Sequence, residues 1–435
     1  MTHLTVHEWG SVSVGTQDEG ECHTFTRAQA NLLLAVARAH PLANKHGTNI
    51  LIDRHSKIFA GQMVGVIAAP GCSLEILPKI DNEANESDTA IRSRLIRMLD
   101  VALGLKLGHG QVATMARQNS TLLDILIRLF ADRLLTEVKR GLPHAYMAQE
   151  DDLSALKGRL NVTRQFTTLS VRPDRLACRY DTLSADTALL RIMKSCVIML
   201  RSYAHATETI RRLNELHYLF ADISDVSLSQ LPWSQVNIDR TNRRWGTLYE
   251  FARLFLNRSW QATHHDRRAQ TGFTLLFPMN DLFESYVAAL ARKAIHGRDW
   301  TLYAQGGRLF CLTEEKEDGK ACFQTKPDLL IKQSNKNRVI IDTKWKCIRS
   351  NIDDPKSGVL QADVYQMMAY GQIYDCAELI LLYPHHNRLG NHELTAGYRI
   401  LAGEKRLTVA SVELAHDENT IIKRLYDLIS AAFLN

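Results

Sequence analysis

The eight cysteines, at positions 22, 72, 178, 196, 311, 322, 347 and 376, include no Cys-x-x-Cys pair. Their scatter argues against a zinc ribbon and against a disulfide-stapled scaffold, and makes a reducing cytoplasm the expected compartment. Long hydrophobic runs are missing as well: Leu32-Leu33-Leu34-Ala35-Val36-Ala37 is cut by Arg38, far short of the about 18 apolar residues that cross a bilayer. No membrane partner is expected. The first residues carry no basic stretch followed by an apolar one, so nothing reads as a secretory signal. The glycine-punctuated stretch Gly104-Leu105-Lys106-Leu107-Gly108-His109-Gly110 lacks the Gly-Lys-Ser/Thr ending that cradles phosphate, which excludes a P-loop motor. Histidine offers no metal site. His264-His265 and His385-His386 are sequence neighbours that point apart, and His3 and His7 lack a third ligand. With 45% hydrophobic and 23% charged residues, the chain shows no disorder signature.

At 435 residues the chain exceeds the usual single-domain size, so two or three domains are expected. Residues 1–85 read as a small β-rich module: strand-like Leu4–Val14, a helix over Arg27–His40, strand-like Asn49–Asp53, and a run ending in Ser73–Lys79 after the tight turn Pro70-Gly71. The acidic stretch Asp81–Asp88 contains no base and reads as a linker. Residues 86–270 are expected to be mainly helical, a region for docking a partner or binding DNA. Helices are expected at Ala90–Leu103, Leu122–Arg140, Ala185–His205, Glu208–Phe220 and Arg243–Asn257, with a short β insertion near Gly158–Phe166 and Arg175–Tyr180. Arginines cluster there twice: Arg159, Arg164, Arg172, Arg175 and Arg179, then Arg240, Arg243, Arg244, Arg253, Arg258, Arg267 and Arg268 near Trp245 and Trp260. They suit either a groove that tracks a nucleic-acid backbone or a solvated face, and both readings stand. The net charge of +6 and pI near 8.8 fit a polyanionic partner without requiring one.

The chemistry concentrates in Lys326–Lys346, where two β-branched-rich runs flank the polar Gln333-Ser334-Asn335-Lys336-Asn337, the pattern of a β-hairpin. A hairpin symmetric about Asn335 sets Asp328 directly opposite Asp342, with Cβ atoms about 4.5–5.5 Å apart. Like charges so placed repel, and a divalent cation is the natural neutraliser. The period of two puts Asp342, Lys344 and Lys346 on one face. Two carboxylates beside an ammonium make a hydrolytic site. Acid-x-Lys triplets also occur at Glu137, Glu314, Asp318 and Asp354, but only Asp342-Thr343-Lys344 follows a Val-Ile-Ile run.

Pro327-Asp328 with Asp342-Thr343-Lys344 resembles the PD-(D/E)xK nuclease motif. Around it the order of elements is helix Asn280–Lys293 with Glu284, strand Leu302–Leu312, the hairpin, helix Leu360–Tyr374 and buried strand Leu379–Tyr383, which is the α-β-β-β-α-β order of that superfamily's core. Gln366-x-x-x-Tyr370 resembles the additional motif of its RecB-like branch. Together with Lys157–Val162, Cys178–Ser184, Pro278–Glu284, Tyr365–Tyr370 and Leu382–Pro384, these features resemble the McrC family, nuclease subunits of McrBC modification-dependent restriction systems. The resemblance implies an α/β fold in which a PD-(D/E)xK endonuclease domain over residues 271–435 follows the helical region and the N-terminal module. It implies Mg²⁺ held by Asp328, Asp342, the Thr343 carbonyl and Glu284, with Lys344 orienting the attacking water and Gln366 and Tyr370 positioning metal or DNA. It also implies two partners, a hexameric McrB-like AAA+ GTPase and modified double-stranded DNA; since one such site cuts one strand, a second nuclease domain is expected during cleavage. A self-sufficient RecB-like nuclease and a non-catalytic adaptor that only drives a motor remain as rival readings.

Overall fold

The computed structural model describes all residues except 1, 16–23, 45–46, 80–85, 106–120, 173, 261–271, 316–318, 349–357, 391, 402–403 and 435. By internal contacts the chain forms two units, Met1–Leu122 with Ala262–Asn435, and Leu123–Gln261. This grouping differs from the division at residues 85 and 270, because a strand from the last third completes a sheet of the first.

The first unit begins with β1 (Thr2–His7), β2 (Ser11–Val14), β3 (Thr24–Phe25), helix α1 (Arg27–Arg38), β4 (Leu51–Asp53), β5 (Lys57–Ala60), β6 (Met63–Ala69) and β7 (Cys72–Leu77). The strand expected over Leu4–Val14 is broken at Glu8-Trp9-Gly10, and its halves enter different sheets. The break is a tight turn closed by Gly10 N–H to the His7 carbonyl (2.8 Å). Helix α1 starts where the Thr26 side chain accepts the Gln29 N–H and the Gln29 side chain returns to the Thr26 N–H, a capping box. Strands β6 and β7 are buried at every position; β6 carries no polar residue, while β7 alternates and buries Ser73 and Glu75 on its other face. Leu33, Val36, Ile67, Leu74 and Ile76 belong to the core on the α1 side. Helix α2 (Asp88–Leu103) supplies Arg92, whose guanidinium lies 2.7 Å from the buried Glu75 carboxylate. Glu75 also accepts the Thr5 hydroxyl and the Leu122 N–H. Burial opposes ionisation of Glu75, yet bonds from His3, Arg92 and Leu122 hold its pKa down to about 2.

The second unit holds helix α3 (Leu122–Lys139), β8 (Ala145–Leu153), β9 (Arg159–Leu160), helix α4 (Val162–Thr167), β10 (Leu176–Ser184), helix α5 (Ala188–Arg201), helix α6 (Thr207–Leu219) and helix α7 (Gly246–Trp260). Phe130 of α3 packs on Phe251 and Phe255 of α7, with ring centroids 6.0 and 5.8 Å away. The β insertion lies where expected in β9 and β10 but is larger: a sheet ordered β8-β10-β9 adds β8, and Val162–Thr167 is helical rather than extended. Nearly all of β8 is exposed, as are Tyr146, Leu156, Phe166, Val171 and Leu183. Arg164 and Arg179 pair with Asp152 and Glu150 of β8, so this part of the first arginine cluster is internally neutralised. In the second cluster Arg244 pairs with Glu137, Arg253 pairs with Glu250, and Trp245 is fully buried; Arg267 and Arg268 lie outside the described residues.

The first unit resumes with β11 (Phe273–Pro278), antiparallel to β6, where a side chain at Gly65 would collide with the Leu275 carbonyl 1.8 Å away. Next come helix α8 (Met279–Ala294), β12 (Trp300–Ala304), a side hairpin of β13 (Phe310–Thr313) and β14 (Ala321–Gln324), β15 (Leu329–Gln333), β16 (Lys336–Thr343), helix α9 (Gln361–Ile373), β17 (Glu378–Pro384), β18 (Thr395–Arg399), β19 (Arg406–Val412) and helix α10 (Glu418–Leu434). The single strand expected over Leu302–Leu312 is interrupted at Gly306-Gly307, and only its first half joins the six-stranded sheet β12-β15-β16-β17-β19-β18. Strands β16, β17 and β19 run parallel, and α9 forms the crossover between the first two. Among the described residues no helix is long and apolar enough to cross a membrane.

Candidate active site

The β15–β16 hairpin turns at Ser334 and Asn335, whose φ values of 48° and 64° fit a two-residue turn of the primed type. Its centre therefore lies half a residue before Asn335. Gln333 pairs with Lys336 and Lys332 with Asn337, then Ile331 pairs with Val339, so Arg338 is an extra residue in a bulge. The bulge restores the register for which Leu329 faces Ile341. Continued by one step, it sets Asp328 opposite Asp342. The expected juxtaposition holds, through a turn and a bulge that the sequence did not show.

Asp328 sits just outside β15, and its Oδ2 accepts both the Thr343 N–H (2.7 Å) and the Thr343 hydroxyl (2.8 Å). Asp342 is 1% exposed at the buried end of β16, and its Oδ2 lies 2.6 Å from the Lys344 ammonium. That oxygen accepts no well-angled hydrogen bond. Lys344 Nζ also donates to Gln366 Oε1 (3.1 Å), Gln366 Nε2 donates to the Tyr370 hydroxyl (2.7 Å), and Tyr370 donates to the Lys326 carbonyl (3.3 Å). One turn of α9 separates Gln366 from Tyr370, so a single helix face locks the lysine to the strand opposite. Glu284 of α8 is close enough to feel the Asp328 charge and is held by the Gln305 side chain. All six side chains expected to act together are brought to one end of the sheet. Lys346 departs from expectation: the strand ends at Thr343, and Lys346 turns to pair with Asp363 of α9 (3.1 Å).

Burial is the main reason that Asp342 is pushed up to about 6, with the Asp328 charge adding and Lys344 opposing. Glu284 rises to about 7, again from burial first and Asp328 second. Burial would lower the Lys344 pKa, but Asp342 beside it more than compensates, and the ammonium is stabilised. The site thus holds surplus negative charge at neutral pH, offset in part by Lys344 at Asp342 and by Lys326 at Glu284. Among the described residues no three His, Cys, Asp or Glu side chains stand at coordinating distances. The donor set is two facing carboxylates with a third carboxylate at hand.

Sequence reasoning missed three contributors. Asp363, buried on α9 one turn before Gln366, adds to the field at Asp342. Gln305, with φ of 50°, anchors Glu284 and donates its N–H to the Asp328 carbonyl (2.7 Å). Glu8, 2% exposed, accepts the indole N–H of Trp345 (3.1 Å) from 337 positions away. The spacing of Asp363 from Gln366 on a helix could have flagged the first; no local pattern marks the other two.

A family model described as McrBC 5-methylcytosine restriction system component matches residues 58–384. No curated protein matches the chain. A chain of the refined half-complex of Thermococcus gammatolerans McrB AAA+ hexamers with bound McrC is similar in fold, at TM-score 0.71 and 19% identity over 100% of both chains. A chain of the Thermococcus gammatolerans McrBC complex solved by cryo-electron microscopy matches at TM-score 0.53 and 23% identity, over 68% of this chain and 88% of that one.

Proposed function

Because the chain belongs to the McrBC 5-methylcytosine restriction system component family, we propose that it is the nuclease subunit of such a system, a Mg²⁺-dependent endodeoxyribonuclease with a PD-(D/E)xK core. The observation that carries this reading is the pair Asp328 and Asp342 with Lys344 at 2.6 Å from the second acid. Mg²⁺ needs few protein ligands, commonly one or two carboxylates plus substrate phosphates and water. Asp328 and Asp342 meet that need, the Thr343 carbonyl and Glu284 stand in reserve, and the Asp328 charge that adds to the burial of Asp342 and Glu284 supports a cation among these carboxylates. When bound, the ion supplies Lewis-acid polarisation of the scissile phosphate and a more acidic water. Lys344, held between Asp342 and Gln366, orients the attacking water and offsets the charge developing on the phosphate. Gln366 and Tyr370 fix the lysine and face the DNA backbone. Attack in line forms the new P–O bond and releases the 3′ oxygen.

The exposed β8-β10-β9 sheet, with Tyr146, Phe166 and Val171 standing in solvent, is the arm that engages a hexameric AAA+ GTPase. The similar solved structure is of McrB hexamers with bound McrC, which supports a ring partner. The test is to mix the chain with its ring partner, GTP, Mg²⁺ and modified duplex DNA. The mixture should cut DNA and hydrolyse GTP faster than the ring alone, whereas the chain alone should hydrolyse no nucleotide and cut poorly. Vigorous cutting by the isolated chain would favour a self-sufficient nuclease, and stimulation without cutting would favour an adaptor.

A further inference from the structure

A cleft of about 310 Å³ opens where β16 ends, lined among the described residues by Glu8, Trp9, Gln62, Lys79, Asn280 and the Trp345-Lys346 pair. Trp345 follows Lys344 directly, and Asn280 precedes Glu284 by one turn of α8, so the cleft adjoins the carboxylate site through both elements. Its volume is at the small end of ligand sites, which run from about 300 to 1,000 Å³. Three features of the lining point to a ligand. Trp9 is 61% exposed although its backbone is held at φ 63°, at a turn position where glycine is usual. Glu8 is almost fully buried, with Oε2 accepting the Lys79 and Trp345 N–H groups (both 3.1 Å) and Oε1 accepting none among the described residues. Lys79 is exposed and has no acidic partner among the described residues. An indole face, a carboxyl oxygen open to a polar edge, exposed amides at Gln62 and Asn280, and an unpaired ammonium are together the complement of one nucleotide: flat ring, hydrogen-bonding edge, phosphate.

We propose that this cleft receives one nucleotide drawn out of the bound duplex beside the cutting site, with an amino-bearing base, cytosine or adenine, against Glu8 and Trp9 and its phosphate at Lys79. The proposal rests on the DNA-cutting reading above. Carboxyl groups read the exocyclic amino group of such bases as acceptors. Oε2 is taken up by the Lys79 and Trp345 N–H groups, so Oε1 is the atom that accepts from the exocyclic amino group. Lys346 lines the same cleft while paired with Asp363, linking occupancy of the cleft to the helix that holds Gln366 and Tyr370.

The test uses the full chain carrying Lys344→Ala in complex with its ring partner, so that DNA is not consumed, and duplexes with pyrrolo-deoxycytidine or 2-aminopurine at successive single positions, probes that brighten when unstacked. Anisotropy of an end-labelled copy reports DNA binding separately. Binding should brighten the probe at one position. Adding Trp9→Ala or Gln62→Ala, both exposed and so expected to fold, should cut that rise about fivefold, while the duplex affinity moves by less than about twofold. Duplex binding without brightening at any position, or brightening that neither variant reduces, would overturn the proposal and leave the nuclease reading standing. Failure to bind duplex at all would overturn both. Saturable quenching of tryptophan emission by free dCMP or dAMP, with no competition from duplex, would assign the cleft to a free nucleotide and so refute the DNA source.

Discussion

Asp342 and Glu8 are buried acids whose pKa values are raised, and the direction fixes what pH does to the fold. A raised carboxyl contributes nothing unfavourable below its unfolded pKa, and destabilises progressively as pH climbs through its folded value. For Asp342 that window runs from the ordinary value of 3.8 to about 6, and for Glu8 from 4.5 to about 7. Metal-free protein should therefore lose stability between about pH 4 and pH 7, and Glu8→Gln should remove about 1–3 kcal/mol of that loss in urea titrations. A pH slope in the variant equal to that of the wild type would contradict the assignment. Asp342→Asn should abolish cleavage and remove the part of that pH dependence that falls between about pH 4 and pH 6, while leaving Lys344 half-buried without its counter-charge.

At the scale of elements, the β15–β16 hairpin depends on a two-residue turn whose first position, Ser334, is poorly suited to its left-handed backbone. Replacing Ser334-Asn335 by Asn-Gly should stabilise the protein by about 0.5–1 kcal/mol, read as a shift in the urea midpoint with the slope unchanged. Destabilisation would mean that the turn is not of the primed type. The hairpin was legible because its two runs are apolar, β-branched and buried. The register was reached from a symmetric centre at Asn335, which is off by half a residue, and the bulge at Arg338 corrects it. The helices of residues 88–260 were legible from their 3.6-residue periodicity, with ends displaced by a few residues. Strand β8, Ala-Tyr-Met-Ala-Gln-Glu-Asp-Asp-Leu, was not legible: both its faces meet solvent, so no alternation marks it. Of the site, Asp328, Asp342, Lys344, Gln366, Tyr370 and Glu284 could be read from spelling and spacing. Glu8 and Gln305 could not, because their roles come from tertiary approach.

At the scale of the whole molecule, the exposed arm and the carboxylate site lie in different compact units. Replacing residues 145–184 by a short glycine-serine linker should abolish stimulation of the ring GTPase and leave the cooperative unfolding of the first unit intact; retained stimulation would move the docking role elsewhere. One site cuts one strand, so two nuclease domains should meet on a duplex. The structure shows a groove of about 490 Å³ lined by Val359, Val364, Met368, Tyr398 and Leu401, an apolar surface available for that contact. Mixing wild-type complexes with an excess of Lys344→Ala complexes should convert double-strand breaks into nicks, and unchanged double-strand cutting per active subunit would mean that each domain works alone.

Lys344 and the acid beside it carry the proposed chemistry. The most direct measurement is Mg²⁺-dependent cleavage of modified duplex DNA by the assembled complex carrying Lys344→Ala, with partner GTP hydrolysis followed in the same tube. Cleavage should fall by about a hundredfold or more while GTP hydrolysis is stimulated as in the wild type. Cleavage at the wild-type rate would contradict the assignment of Lys344.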